Sequence, residues 1–381
     1  MLIFWSISLS YGIDLTSVNF SYKYDPEALV FFHYKLIRTE SNYKISFKLE
    51  LNDESNNFLL KFYRQKGYRD SSASANTGLE LSFSQSNSNN RFIGEYTFQL
   101  DSSDLAVFEV FHTPSNKPYY YDIPLGELIN FEAPDFLIRS KNGNVLENFV
   151  AFPDSLFWDG QPLFIYEYDE DFPPALPPLS TAPNVPKNLN MNSVTMSDTG
   201  FKPKVGKFYF LQTDSSSFSG VSIVSAPPLY PRLIRSQDVV QPLVYISTKS
   251  EFDDIEYSQD KKKALDRFWL DITRSPERAV ETIKYYFRQI SNANRFFTNY
   301  KQGWKTDMGM VLIVFGSPDA VRRSATSESW IYDNPGGDDN ILFTFNKIRN
   351  IFTPHHYELE RTEELKRFWF QRVNQWRKGR I

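Results

Sequence analysis

Residues 43–51 read Tyr-Lys-Ile-Ser-Phe-Lys-Leu-Glu-Leu and alternate apolar with polar over all nine positions. On a strand that spacing sends every apolar side chain to one face, so the segment must cover something. Arg91 to Leu100 repeats the pattern with Phe92, Tyr96, Phe98 and Leu100 in phase, and residues 28–37, 58–63 and 105–111 are further strand candidates. Turn-forming runs separate them, Asn52 to Asn57 and Ser84 to Asn90 among them. Short strands so spaced predict an antiparallel, immunoglobulin-like β-sandwich over residues 15–130. A second such sandwich is predicted over 131–250, with Pro162–Tyr168, Gly206–Phe210 and Pro242–Ile246 as strands. Within it, PPALPPLSTAPNVP (173–186) has six prolines, which remove ladder donors and exclude a central strand. A stiff inserted loop is the plainer reading of that stretch; a docking peptide for an aromatic groove is the sharper one.

After about Ser250 the apolar period changes from two to about 3.6. Leu265, Phe268, Trp269 and Ile272 share one helical stripe. Ser275-Pro276-Glu277 announces a second helix by a capping serine, a proline at the first helical position and an acid in the first turn. Its apolar stripe is expected through Val280, Ile283, Phe287 and Ile290 toward Phe296 and Phe297. A last helix, about 362–378, places Leu365, Trp369, Val373 and Trp376 on one face. Between these helices lies QGWKTDMGMVLIVFGSPD (302–319), whose Gly303, Lys305, Thr306 and Asp307 are residue types of phosphate-binding loops. A P-loop needs G-x-x-x-x-G-K-[ST] after a strand and before a helix. Here the upstream glycine is missing, Trp304 separates Gly303 from Lys305, and the expected order is helix, motif, strand. The stretch therefore reads as a structural joint.

In that reading Gly303 is a left-handed helix cap, Trp304 supplies apolar area and one N–H, and Thr306 and Asp307 bond local backbone. Gly309 permits a close approach where a strand begins, and Met310–Phe315, apolar on both faces, is that strand, central and covered on each side. Ser317-Pro318-Asp319 repeats the cap signal and predicts a short helix, followed by strands at Ser329–Tyr332 and Ile341–Phe345. Residues 251–381 are thus predicted to be a small α+β domain.

Aromatic residues make up 17% of the 381 residues, with 34 Phe and 22 Tyr, which agrees with half-buried pleated surfaces. Basic and acidic residues nearly balance, 42 against 46, so no global field draws the chain to nucleic acid or an anionic membrane. The complete absence of cysteine excludes disulfides, thiol nucleophiles and cysteine-ligated metals. Residues 1–14 open on an apolar run, MLIFW, with a small-x-small site at Ser10-Tyr11-Gly12, as in a signal peptide. The first basic residue is Lys23, so the reading is of a leader shortened at its start, or else of an apolar terminal strand.

Residues 261–345 resemble the GWxTD domain, a bacterial family named for the residues present here as Gly303-Trp304-Lys305-Thr306-Asp307. The resemblance extends to Phe268-Trp269, to Ala293-Asn294-Arg295-Phe296, to Phe315-Gly316-Ser317-Pro318-Asp319 and to Trp330-Ile331-Tyr332. Its motif residues are Gly303, Trp304, Thr306, Asp307, Gly309, Gly316, Pro318, Asp319, Trp330 and Tyr332. Met308 and Met310 stand where members often carry polar or basic residues. The resemblance implies an exported protein of the periplasm or outer membrane of double-membrane bacteria, and brings no settled activity with it.

The remaining candidates for chemistry are few. His355-His356-Tyr357-Glu358 offers raw material for a metal, yet adjacent side chains on a strand point apart and only His33 and His112 remain elsewhere. Asp338-Asp339 and Tyr168-Asp169-Glu170-Asp171 have hard oxygens without calcium-loop spacing. From Arg361 on, seven basic residues face two acids, which reads first as a solvated helix face and second as an anion-reading surface. The expectation is a non-catalytic envelope protein that binds an envelope or secretion-system protein, with no cofactor, no metal and no transmembrane span. The alternatives are an envelope hydrolase using acids such as Asp307 and Asp319, or a carbohydrate-binding protein.

Overall fold

The computed structural model describes residues 13–52, 57–69, 74–75, 83–85, 90–99, 105–125, 132–151, 155–179, 190–334 and 339–380. The leader-like run at residues 1–12, residues 180–186 of the proline-rich stretch, Leu100 and Asp338 lie outside them. The chain is rich in antiparallel sheet, with helices and strands combined toward the C-terminus.

Two four-stranded sheets face each other in the first segment. Strands Val30–Arg38, Asn42–Leu51, Arg91–Gln99 and Phe83–Gln85 lie side by side in that order. Against them stand Ser74–Ala75, Phe58–Gln65, Leu105–His112 and Lys117–Pro124. The alternation at 43–51 buries Tyr43, Ile45, Phe47, Leu49 and Leu51 between the sheets. Phe47 meets Phe108 across the gap at 5.4 Å between ring centroids, and Phe62 meets Tyr96 at 4.4 Å. Lys117–Pro124 escapes the sequence patterns because a proline stands at each end of KPYYYDIP; it is an outermost strand, where a missing donor is tolerated.

Beside a small four-stranded sheet of Gly143–Asn144, Arg139–Ser140, Leu156–Phe157 and Gly200–Phe201, the middle segment holds a five-stranded sheet in the order Phe149–Ala151, Val221–Ala226, Lys207–Gln212, Leu163–Asp169 and Met191–Ser197. Its first pair is parallel and the rest antiparallel. Pro242–Ile246 is not a strand. Gln241–Tyr245 is a 3-10 turn with proline near its start, and Leu243 and Tyr245 pack into the C-terminal core.

The helices are α1 (Ser236–Val240), α2 (Lys249–Glu256), α3 (Lys261–Thr273), α4 (Pro276–Phe297), α5 (Asp307–Phe315) and α6 (Glu363–Trp376). The Ser275 hydroxyl caps α4 by accepting the Arg278 N–H at 3.4 Å. The buried face of α4 runs through Ala279, Thr282, Tyr286, Ile290, Ala293 and Phe297, while Val280 is exposed. The expected stripe is therefore rotated: polar residues such as Asn294 sit inside because they have hydrogen-bond partners there.

Two secondary-structure predictions from the joint fail. Met310–Phe315 is helical, not a strand, because the Thr306 hydroxyl accepts the Gly309 N–H at 3.0 Å and nucleates α5. All nine residues of α5 are buried, and a helix covered on every side has no polar face to reveal its period. Ser317-Pro318-Asp319 starts no helix either. Gly316 turns the chain at φ 85°, the Ser317 hydroxyl donates to the Tyr24 carbonyl at 2.8 Å, and strand Ala320–Arg323 follows. That strand continues antiparallel through Ser327–Tyr332, Ile341–Lys347 and Tyr357–Leu359.

The first segment is tied to this C-terminal sheet by buried charge. Asp122 accepts from Lys23 at 2.5 Å and from the Tyr68 hydroxyl at 2.6 Å, and also pairs with Arg323, whose other edge meets Glu328 at 2.9 Å. Burial alone would push the Asp122 carboxyl up, but Arg323, Lys23 and the hydrogen bonds outweigh it and hold it well below the usual carboxylate range. Leu15 and Phe20, both fully buried, add apolar contact on the same side.

A folded carboxyl held low contributes stability above its ordinary value of 3.8, and that contribution fades as pH falls through and below it. Asp122→Asn, which leaves two buried cations short of an anion, should cost about 3–5 kcal/mol at neutral pH. Denaturant titrations from pH 7 to pH 3 should show a smaller loss on acidification in the variant than in the wild type.

Candidate functional site

Gly303 and Gly309 let backbone touch backbone. A Cβ on Gly303 would lie 2.0 Å from the Ala293 carbonyl oxygen in α4, and one on Gly309 would lie 1.9 Å from the Gly303 carbonyl oxygen. Gly303 is thus required for close packing and not for a left-handed cap, since its φ is not positive. Between them Trp304 is buried, donates its indole N–H to Gln302 Oε1 at 2.9 Å and receives the Tyr245 hydroxyl on its carbonyl at 2.9 Å. Asn294 of α4 accepts the Trp304 N–H at 3.0 Å and donates to the Pro231 carbonyl at 3.0 Å. Thr306 donates to the Gly303 carbonyl at 2.7 Å as well as capping α5.

Asp307 reaches further than a local turn. Its carboxylate accepts the Leu359 N–H at 2.8 Å and pairs with Arg361 at 2.6 Å, fastening the last strand of the sheet beneath α5. Lys305 crosses to the middle segment and meets Glu170 at 3.1 Å, and the Ala175 N–H donates to the Lys305 carbonyl at 3.0 Å. Downstream, the Tyr332 hydroxyl donates to the Gly316 carbonyl at 2.9 Å, and Trp330, fully buried, donates to Glu328 Oε1 at 2.7 Å. Pro318 is buried, and Asp319 accepts the Asp333 N–H at 2.8 Å away from Asp307.

Beside this joint lies a cavity of about 910 Å³ with walls from all three segments. Tyr24, Tyr34 and Asp122 come from the first, Tyr168 and Phe172 from the second, and Tyr300 from the third. Thr306, Asp307 and Met308 form part of its wall, whereas Trp304 does not. His355 borders both this cavity and a neighbouring one of about 270 Å³. Burial and the surrounding Lys347, Arg323 and Lys35 cations push its imidazole down to about 3, so it is neutral at pH 7.

The other candidates for chemistry disperse. His356 pairs with Glu358 at 3.3 Å, Asp169 with Lys207, and Glu170 with Lys305, and the described residues hold no group of three acids or histidines placed to hold a metal ion. The basic tail is not merely a solvated face. Arg361 binds Asp307, Arg377 binds Glu251 at 2.7 Å, and Arg372 donates to the Val314 carbonyl at 3.1 Å.

One surface feature was missed in the sequence. Met191–Ser197 is the outermost strand of the five-stranded sheet, and among the described residues nothing pairs with its outer edge. Its register sets Met191 opposite Tyr168, Val194 opposite Tyr166 and Met196 opposite Phe164, with an irregularity between Glu167 and Tyr168. That irregularity keeps three apolar side chains on one face. They are 48%, 43% and 63% exposed. A cue existed in MNSVTMS, an uncharged stretch rich in β-formers, but its spacing of three then two hides the shared face.

Residues 207–378 match the model of the GWxTD domain, which covers the helices, the motif and the C-terminal sheet. Residues 207–378 are therefore a GWxTD domain, and the match begins earlier than residue 261, at strand Lys207–Gln212 of the middle sheet. No curated protein matches the chain. Among the described residues no helix is long and apolar enough to cross a membrane.

Asp307→Asn removes the anion that faces Arg361 in a buried site and should destabilise the protein by about 3 kcal/mol or more. Gly303→Ala should be at least as damaging, because the clash is with backbone that cannot move aside. Thermal and urea unfolding of both variants check this, and a wild-type melting curve for either contradicts the structural role.

Proposed function

We propose that the protein is a non-catalytic component of the bacterial cell envelope that holds another envelope or secretion-system protein, and that the strand Met191–Ser197 receives it. The single observation that carries this reading is the open edge. An outer strand normally protects itself with charge, proline or a bulge that turns it away. This one has no charged residue or proline, its bulge is confined to the end near Met191, and it presents an apolar stripe beside backbone groups that no described strand pairs. Addition of an extended segment from a partner satisfies both. Placement in the envelope is supported by the leader-like N-terminal run and by the family resemblance.

The hydrolase alternative has weaker support. Asp307 spends its oxygens on Leu359 and Arg361, Asp319 binds the Asp333 backbone, and the two acids do not meet in the cavity. A general acid–base pair must reach one substrate.

Crosslinking and affinity capture from the native host, with the wild type and with a Val194→Lys/Met196→Lys variant, test the proposal. The wild type should recover a reproducible envelope protein, and the variant should recover about tenfold less at an unchanged melting temperature. Equal recovery by the variant overturns the role of the edge, and no reproducible partner of the wild type overturns the whole reading.

A further inference from the structure

The cavity of about 910 Å³ is of the size that takes small organic molecules. Its wall is largely aromatic, from Tyr24, Tyr34, Phe172, Phe297, Tyr300 and Phe352. Its charges are mostly spoken for. Asp122 is matched by Lys23 and Arg323, Asp307 by Arg361, and Glu358 by His356. Arg323 is also matched by Glu328, and Arg349 stands at the exposed rim over the Phe218 ring. Lys301 is different: it lines the cavity, and no carboxylate among the described residues forms an ion pair with it. The charges around it are Asp307, Lys305, Glu170 and Glu358, and each of these is engaged with another partner.

We propose that the cavity binds a small ligand carrying one carboxylate on an aromatic or apolar body, and that Lys301 holds the carboxylate. Lys301 is half-buried with its ammonium over the Tyr300 ring at 5.9 Å, and a half-buried cation without a counter-ion is penalised. An anion entering the cavity relieves that penalty while the rings cover the remainder of the ligand. A cationic ligand finds no such vacancy, because every carboxylate of the wall already faces a donor. Burial pushes the Lys301 ammonium down to about 8, which fits the same picture. The inference is independent of the edge strand.

Calorimetric titration of the full chain with 2-naphthoate and with 2-naphthamide, which differ in charge and share a ring system, tests it. The wild type should prefer the carboxylate by about tenfold or more at pH 7, and the preference should shrink as pH rises above about 8. Lys301→Met should bind both compounds alike, with a melting temperature equal to or above that of the wild type. Lys301→Arg should keep most of the preference, which guards against a folding defect in the first variant. The Val194→Lys/Met196→Lys protein should titrate as the wild type does, which separates this test from that of the edge strand. The proposal is overturned if the wild type binds neither compound, if it binds both equally, or if Lys301→Met retains the preference.

Discussion

Contact of backbone with backbone at Gly303 organises the C-terminal half of this protein. The Gly303 turn lies against the Ala293 carbonyl, so α4 and the entry to α5 approach more closely than any side chain would permit. That closeness brings the Asn294 amide within reach of the Trp304 N–H and the Thr298 hydroxyl within reach of the Gly303 N–H. It also aims the first turn of α5 at the last strand of the sheet, where Asp307 meets Leu359 and Arg361. The far end of α5 is closed by α6, whose Trp376 and Arg372 both donate to the Val314 carbonyl. Helix ends buried in a core need such donors and acceptors, since water cannot supply them. Each residue of the motif other than the lysine is accounted for by this geometry, and the lysine by its reach to Glu170.

Buried charge performs a second task. The cluster of Lys23, Asp122, Arg323 and Glu328 joins the first sandwich to the C-terminal sheet. Apolar contact alone would allow the two to slide, because it has no direction. Ion pairs and the Tyr68 hydroxyl have direction, and a wrong register would leave charges unmatched in a dry interior. The cavity sits where this clamp, the motif and the middle sheet converge, so its shape is a consequence of how three units are fixed to one another.

Much of this architecture is legible in the sequence because burial on one face leaves a period. The strand at Asn42–Leu51 and helices α3 and α6 follow their apolar spacing closely. What fails is what burial on all faces erases. Met308 to Phe315 is apolar at every position, and a short run of that kind fits a covered strand as well as a covered helix. The deciding information lay upstream, in the Thr306 cap, and not in the run itself. Ser317-Pro318-Asp319 misleads for the opposite reason: its residues fit a helix start, but the Ser317 hydroxyl is spent on Tyr24, a residue 293 positions away. The cavity was invisible because its wall is assembled across such distances, and Lys301 carries no motif.

The exposed strand and the cavity share a residue. Tyr168 stands opposite Met191 in the register of the edge pair, and its ring also lines the cavity. Its ring lies 5.5 Å from Phe208 and 5.9 Å from Phe352, and Phe352 in turn lies 5.9 Å from Tyr300, next to Lys301. A partner strand laid on Met191, Val194 and Met196 would pack along the same face that holds Tyr166 and Tyr168. The edge strand and the cavity thus border the same aromatic column, the first through its pairing with Tyr166 and Tyr168 and the second through Tyr168, Phe352 and Tyr300.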